Sequence, residues 1–296
     1  MTVVAGAAAL AWGSLVERTQ FTLREVDVPV LPAGAPPLRV LHLSDLHMAP
    51  WQREKQAWVR ALAGLRPDLI VSTGDSLGHP DGIEGIRAAF DRFGGIPGVF
   101  VWGSNDYFGP QPKNPLLYFR GASAAPANPA RLDISALGSY FTSLGWTDLN
   151  NSAAILELGG TSIDFFGVDD PHRGFDRLDL LAAAVDDLDE SRASAPGLSV
   201  GVAHAPYRRI LDSFVARGAD LMFAGHTHGG QVCVPGFGAL VTNCDIPREQ
   251  ASGLSVWNAG RRAAWLNVSA GLGTSIYAPI RFACPPEATL LTLTPR

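Results

Sequence analysis

Seven side chains of metal-ligand type fall in five short segments, and they restrict the fold more than any other feature of the chain. Asp45 and His47 stand in Ser-Asp-Leu-His, Asp75 in Thr-Gly-Asp-Ser and Asn105 in Gly-Ser-Asn-Asp. His204 stands in Val-Ala-His-Ala-Pro, and His226 and His228 in Gly-His-Thr-His-Gly-Gly-Gln. Nearly every segment follows an apolar run and most are punctuated by Gly, which places the polar groups at strand ends around one crevice. Residues i and i+2 of a strand share a face, so Asp45 with His47, and His226 with His228, can each converge on one cation. Carboxylate, amide and imidazole without thiolate suit Mn²⁺, Fe²⁺ or Zn²⁺. Any one segment alone is a weak signal; all of them in this order point to a two-metal hydrolytic site.

The spacing around these segments predicts a layered α/β fold. Strands are expected over residues 38–44, 69–73 and 99–102, with helices over 52–65 and 83–93 between them. The alternation resumes with strands over 153–158, 162–168, 198–203, 221–223 and 288–293, and helices over 178–188 and 207–215. Such an order puts the site at the C-terminal ends of the strands. Residues 21–31 read as an edge strand and 32–37 as a Pro/Gly linker, leaving 38–296 as the main domain. Residues 107–146 break the rhythm and leave directly from Gly-Ser-Asn-Asp, so they read as a lid-like insertion carrying Tyr107, Phe108, Leu116, Leu117, Tyr118 and Phe119.

A net charge of −5 without a long Lys/Arg run argues against duplex nucleic acid as a partner. A small anionic substrate stays compatible, because bound cations supply local positive charge. Cys233, Cys244 and Cys284 lack zinc-type spacing. Cys244 and Cys284 could pair outside the cytoplasm; buried free thiols are the plainer reading. Residues 1–16 carry no charge and include Trp12, but are short for a spanning helix and lack the basic start of a secretory signal. An interfacial helix or anchor remnant in residues 1–20 is one reading, and an apolar helix packed on the domain is the other.

The order Asp-x-His, Gly-Asp, Gly-Asn type, His, Gly-His-x-His resembles the calcineurin-like metallophosphoesterase superfamily. Gly229-Gly230-Gln231, Gly271-Leu272-Gly273-Thr274, Arg281-Phe282 and Pro286-Glu287 make it similar to the bacterial, often membrane-associated, phosphodiesterase branch. The resemblance implies an α/β-β-α sandwich of two mixed sheets flanked by helices. It also implies one metal held by Asp45, His47, Asp75 and His228, and a second held by Asp75, Asn105, His204 and His226. A hydroxide bridging the metals would attack phosphorus in a phosphodiester. The branch further implies membrane association and, with it, an amphiphilic substrate of the UDP-diacylglucosamine kind. A catalytically weak metal-dependent binding protein at the membrane or envelope is the alternative.

One motif departs from the family, which has Gly-Asn-His where this chain has Gly103-Ser104-Asn105-Asp106. Ungapped alignment places Ser104 at the ligand position; a one-residue shift restores Asn105 and leaves Asp106 where the family His would be. On that reading Asp106 is a catalytic candidate, and Asp106→Asn changes turnover on poor leaving groups more than metal content. His79, after the Asp75 motif, is a second catalytic candidate, with structural and functional readings even. His42 should point away from the Asp45/His47 face and be structural. His172 reads as a surface or supporting residue, and Arg208 and Arg209 as solvated helix charges.

Overall fold

Strands form where Val, Leu and Ile recur over short runs bounded by Gly, Pro and Asp. In the computed structural model, which describes residues 2–112, 129–192 and 195–296 and the side chains from residue 6 onward, these runs build two six-stranded sheets. The first has the order β1 (Thr22–Leu31), β14 (Glu287–Pro295), β2 (Leu38–Leu43), β3 (Leu69–Ser72), β4 (Gly98–Phe100), β5 (Trp146–Asp148). Strands β2 to β5 run parallel, β14 is antiparallel to β2, and β1 lies parallel to β14 at the edge. The second has the order β12 (Gly253–Ala259), β13 (Arg262–Val268), β9 (Leu221–Ala224), β8 (Leu198–Val202), β7 (Thr161–Gly167), β6 (Ser152–Leu158). Its parallel centre, β13 to β7, is flanked by antiparallel β12 and β6.

The two-residue period of each strand divides the core. In β3, Leu69 and Val71 face the interior between the sheets, beside Val200, Val202, Leu221 and Phe223. Ile70 faces outward, in the layer of Val59 from α2 (Arg53–Ala61) and Ile86 from α3 (Gly82–Phe90). On the far side, Met222 and Ala224 pack with Ile210 and Phe214 of α7 (Arg208–Ala216) and Leu181 of α6 (Leu178–Ser191). This is the α/β-β-α sandwich expected from the sequence.

The segment 107–146, read as a lid, is built into the domain at its described C-terminal end. It opens in α4 (Ser104–Tyr107) and closes in α5 (Ile134–Ser143), which leads into β5 beside β4. Leu137 and Phe141 of α5 are buried, and Phe141 stacks among Phe90, Phe100, Trp102 and Trp146 with ring centroids 5.1–5.9 Å apart. The Asp133 carboxylate caps the helix by accepting from the Ala136 N–H at 2.9 Å. Leu137, Phe141 and Leu144 keep helical spacing, but Gly and Ser between them dilute the signal. Leu116, Leu117, Tyr118 and Phe119 lie outside the described residues.

Helix α1 (Thr2–Leu15) meets the domain at its last turn. The Gly13 carbonyl accepts from the Arg281 N–H at 3.1 Å, and a Cβ at Gly13 would stand 2.5 Å from the Arg281 carbonyl oxygen. Leu10, Trp12 and Leu15 are exposed, while Trp12 Nε1 donates to buried Glu17 at 3.0 Å. No described helix is long and apolar enough to cross a membrane. A small hairpin, β10 (Cys233–Val234) and β11 (Gly238–Ala239), follows the His pair. The three thiols are free, and Cys284 lies beside Cys233 rather than Cys244, both of them directed at the Gly229 carbonyl.

Candidate metal centre

The ligand-type residues stand just beyond the strands, not in them. β2 ends at Leu43 and β9 at Ala224, so the two-residue period does not set the direction of Asp45, His47, His226 or His228. Instead these four and Asp75 all take left-handed backbone, with φ of 49°, 41°, 67°, 51° and 52°. Such backbone costs a non-glycine residue about 1 kcal/mol or more and is held only where surrounding bonds over-determine it. Here the loops after β2 and β3 are laced together, Asp45 N–H donating to Gly74 O and His47 N–H to Asp75 O, both at 2.9 Å. Two glycines make room for this. A Cβ at Gly225 would stand 1.9 Å from Ser44 Oγ, and one at Gly103 would stand 2.3 Å from Asp75 Oδ1.

The Asp75 carboxylate sits in the middle. Its Oδ2 is 3.5 Å from His47 Nε2, and its Oδ1 is 3.6 Å from His204 Nε2. Asn105 donates to both oxygens, from its backbone N–H at 2.8 Å and its side-chain amide at 2.7 Å. On one side His47 Nε2 faces His228 Nε2 at 3.2 Å, with Asp45 Oδ1 3.6 Å from the latter. On the other, His204 Nε2 faces His226 Nδ1 at 3.3 Å. Asp45, His47 and His228 offer ligand atoms all within 4.8 Å of one another, as do Asp45, Asp75 and His204.

This donor set fits divalent cations. Backbone carbonyls lie at the far nitrogen of three rings: Thr73 O at 2.7 Å from His204 Nδ1, Gly273 O at 3.2 Å from His228 Nδ1 and Asn243 O at 3.1 Å from His226 Nε2. The Thr73 carbonyl takes the Nδ1–H of neutral His204 and leaves a lone pair on Nε2, whereas at His228 Nδ1 and His226 Nε2 a donor stands beside the carbonyl, Arg281 Nη2 at 3.3 Å and Asn243 Nδ2 at 3.1 Å. Imidazole nitrogens facing at 3.2 and 3.3 Å leave each pair to share either a proton or a cation between them. Asp45 Oδ1 is buried without a hydrogen-bond partner among the described residues. Burial raises Asp45 to about 6 and lowers His47 to about 4, and it holds His226 and His228 well below the ordinary value. Burial also works against a charge on His204, but Asp75, Asp45 and Asp170 outweigh it and raise His204 to about 9. The carboxylate field that would attract a cation therefore draws a proton onto that ring. Against burial, the His204 and His47 rings and the Asn105 N–H groups hold Asp75 below its ordinary range.

The Gly-Ser-Asn-Asp segment divides its side chains between different tasks. Asn105 faces Asp75, whereas the Ser104 hydroxyl turns away and donates to Asp170 at 2.5 Å. Asp106 is fully buried and accepts backbone N–H groups from Asp75 (2.8 Å), Ser76 (2.7 Å), Leu77 (3.2 Å) and Gly103 (3.0 Å). Both of its oxygens are spent on holding the Asp75 loop to the start of α4, and none faces the crevice. An acid at the third position of a helix reaching back to the first free N–H was the signal for this role.

The remaining candidates sit at the rim. His79 is partly exposed, packs edge-on to Trp51 at 4.9 Å and accepts the Asp81 N–H at 3.1 Å. His172, read as a supporting residue, lies closer to the ligands: its ring centroid is 4.5 Å from that of His226, and its Nδ1 is 3.0 Å from Tyr207 Oη. Arg209 pairs with Asp176 and Arg208 donates to the Asp245 carbonyl at 2.7 Å, so neither reaches the crevice. Arg281, quoted above only as part of a motif, is wholly buried behind His228 and donates to the carbonyls of Ala270, Gly271 and Gly273 at 2.7–2.9 Å. That guanidinium shapes the loop whose carbonyl orients His228.

Resemblance to known proteins identifies the family. The family model of calcineurin-like phosphoesterases matches residues 38–230. The chain is 31% identical over 265 residues to the uncharacterized protein YpbG of Bacillus subtilis (strain 168), covering 88% of this chain and 82% of that one. It is 23% identical over 286 residues to the uncharacterized metallophosphoesterase YkuE of the same strain, covering 94% and 86%. A Bos taurus transmembrane protein with a metallophosphoesterase domain is 24% identical over 215 residues, 70% of this chain and 44% of that one. The chain belongs to the calcineurin-like phosphoesterase family and is a metal-dependent, dinuclear phosphoester hydrolase.

Proposed function

We propose that the enzyme hydrolyses phosphodiesters at a centre where Asp45, His47, Asp75 and His228 hold one cation and Asp75, Asn105, His204 and His226 hold the other. The observation that carries this reading is Asp75, with one oxygen toward His47 and the other toward His204, between two pairs of facing imidazole nitrogens. When bound, two divalent ions activate water and offset phosphoryl charge. The chain's own part is to orient the rings through Thr73, Gly273 and Asn243, and to keep Asp75 ionised through Asn105. Because Asp106 is committed to backbone N–H groups, His172 is the better-placed group to meet a leaving oxygen, with His79 farther out beside Trp51.

An amphiphilic substrate is supported by the apolar exposure of Leu10, Trp12 and Leu15 on α1 and of Trp51 next to His79. A lipid carrying a nucleotide or other phosphodiester headgroup suits that setting, and duplex nucleic acid does not suit an acidic chain. We place the protein at a membrane surface through α1, on the same ground.

The test is hydrolysis of bis-p-nitrophenyl phosphate by chelator-stripped protein with and without Mn²⁺, beside the monoester. Metal-dependent cleavage of the diester with little monoester turnover is expected. No cleavage after two metals are shown to be loaded would turn the assignment to a metal-dependent binding protein. In the same assay His172→Ala should slow poor leaving groups while keeping both metals; unchanged rates would remove His172 from the mechanism.

A further inference from the structure

From the core between the sheets, a line of buried polar groups runs up to Asp45, and its direction can be deduced from one end. A carboxylate oxygen only accepts, so Ser44 Oγ donates to Asp45 Oδ2 at 2.6 Å. With its hydrogen used there, Ser44 must accept from Thr73 Oγ1, 2.6 Å away. Thr73 must in turn accept from His42 Nε2 at 2.9 Å. His42 then carries its hydrogen on Nε2 and accepts at Nδ1 from the Asn267 side-chain amide at 2.8 Å. Along the series each polar group has one role open to it, while Asn267 Oδ1 at its start is buried without a hydrogen-bond partner among the described residues. Asn267, His42, Thr73 and Ser44 are all 0% exposed, and His42 is wedged edge-on against Phe223 at 5.1 Å.

The series ends on the oxygen that does not face the other ligands. Asp45 Oδ2 accepts from Ser44 Oγ and from the His226 N–H at 3.0 Å, while Oδ1 is left without a hydrogen-bond partner among the described residues, 3.6 Å from His228 Nε2. Rotation of the carboxylate would break both bonds to Oδ2 inside a site that Gly225 already keeps free of side chain. We infer that Asn267, His42 and Thr73 are positioning residues for a metal: through Ser44 they lock Asp45 in the rotamer that offers Oδ1 alone to the cation shared with His47 and His228. This inference rests on the two-metal reading above and adds residues outside the ligand set. Thr73 serves the second cation separately, through its backbone carbonyl to His204, so removing its hydroxyl touches only the Asp45 arm.

The experiment compares Mn²⁺ binding and electron paramagnetic resonance spectra of the full chain with those of Thr73→Val, His42→Met and His42→Gln. Valine keeps the volume of threonine without the hydroxyl, methionine fills the imidazole space without a donor, and glutamine restores an N–H. Thr73→Val and His42→Met should weaken one of the two Mn²⁺ sites by about 10- to 100-fold, the usual effect of losing a supporting partner. Their spectra should change from spin-coupled to mononuclear at the same Mn²⁺ concentration, and His42→Gln should recover most of the affinity. Wild-type affinity at both sites in all three variants would overturn the inference. So would parallel weakening of both sites that glutamine fails to rescue, since that is general loosening of the core. Failure of the unmodified protein to bind Mn²⁺ would overturn the two-metal reading itself, and this inference with it.

Discussion

Replacing Asp106 by Asn would set an amide NH₂ among four backbone N–H donors that now share its two oxygens. The loop carrying Asp75 would lose its anchor to α4. Asp106→Asn is therefore expected to lose bound metal and turnover together, by about tenfold or more in metal affinity. Elemental analysis beside diesterase assays checks this, and full metal content with a loss confined to poor leaving groups would return Asp106 to an acid's role. His42 permits a prediction on pH. Burial lowers it from 6.5 to about 3, so between those values the unfolded chain binds a proton that the folded chain refuses. Its contribution is complete above the unfolded value and is lost as pH falls toward the folded one, up to about 5 kcal/mol. Urea unfolding of chelator-stripped protein from pH 7 to 4 should show falling stability, with a shallower fall in His42→Gln. Equal slopes for the two proteins would count against this account.

At the scale of elements, five ligand-type residues in left-handed backbone show that loops, not strands, aim the site. The strands deliver each loop to one edge of the sandwich, and the crossed bonds between the loops after β2 and β3 do the rest. The cost of that backbone is borne by a dense interior, to which α5 contributes Leu137 and Phe141. Phe141→Ala should destabilise the fold by about 3–5 kcal/mol, the range for a large aromatic removed from a packed core. A denaturant midpoint close to that of the unmodified protein would mean that α5 is peripheral after all.

At the scale of the molecule, α1 stands apart. It is held at Gly13 and Glu17 yet presents Leu10, Trp12 and Leu15 to the surroundings, exposed by 59%, 47% and 72%. Apolar side chains so placed bind bilayer interfaces through buried area. The full chain should co-sediment with phosphatidylglycerol-containing vesicles, and Leu10→Glu with Leu15→Glu should reduce the bound fraction several-fold while leaving diester hydrolysis in solution intact. Equal sedimentation of both proteins would remove α1 from any membrane role.

The ligand types, their order and the layered α/β architecture could all be read from the chain, because metal chemistry needs particular side chains and short buried strands leave short apolar runs. In the folded chain β1 lies at the edge of its sheet, and Asn105, not Ser104, turns toward Asp75. Local spacing offered Asp106 only the Gly103 N–H; the N–H groups of Asp75, Ser76 and Leu77 reach it only after β3 and β4 are side by side. Nor could that spacing connect Asn267 to His42, which lie 225 positions apart and touch only across the packed sheets. Composition and local spacing state what a residue can do; which of its atoms are left free to do it depends on partners brought together by tertiary packing.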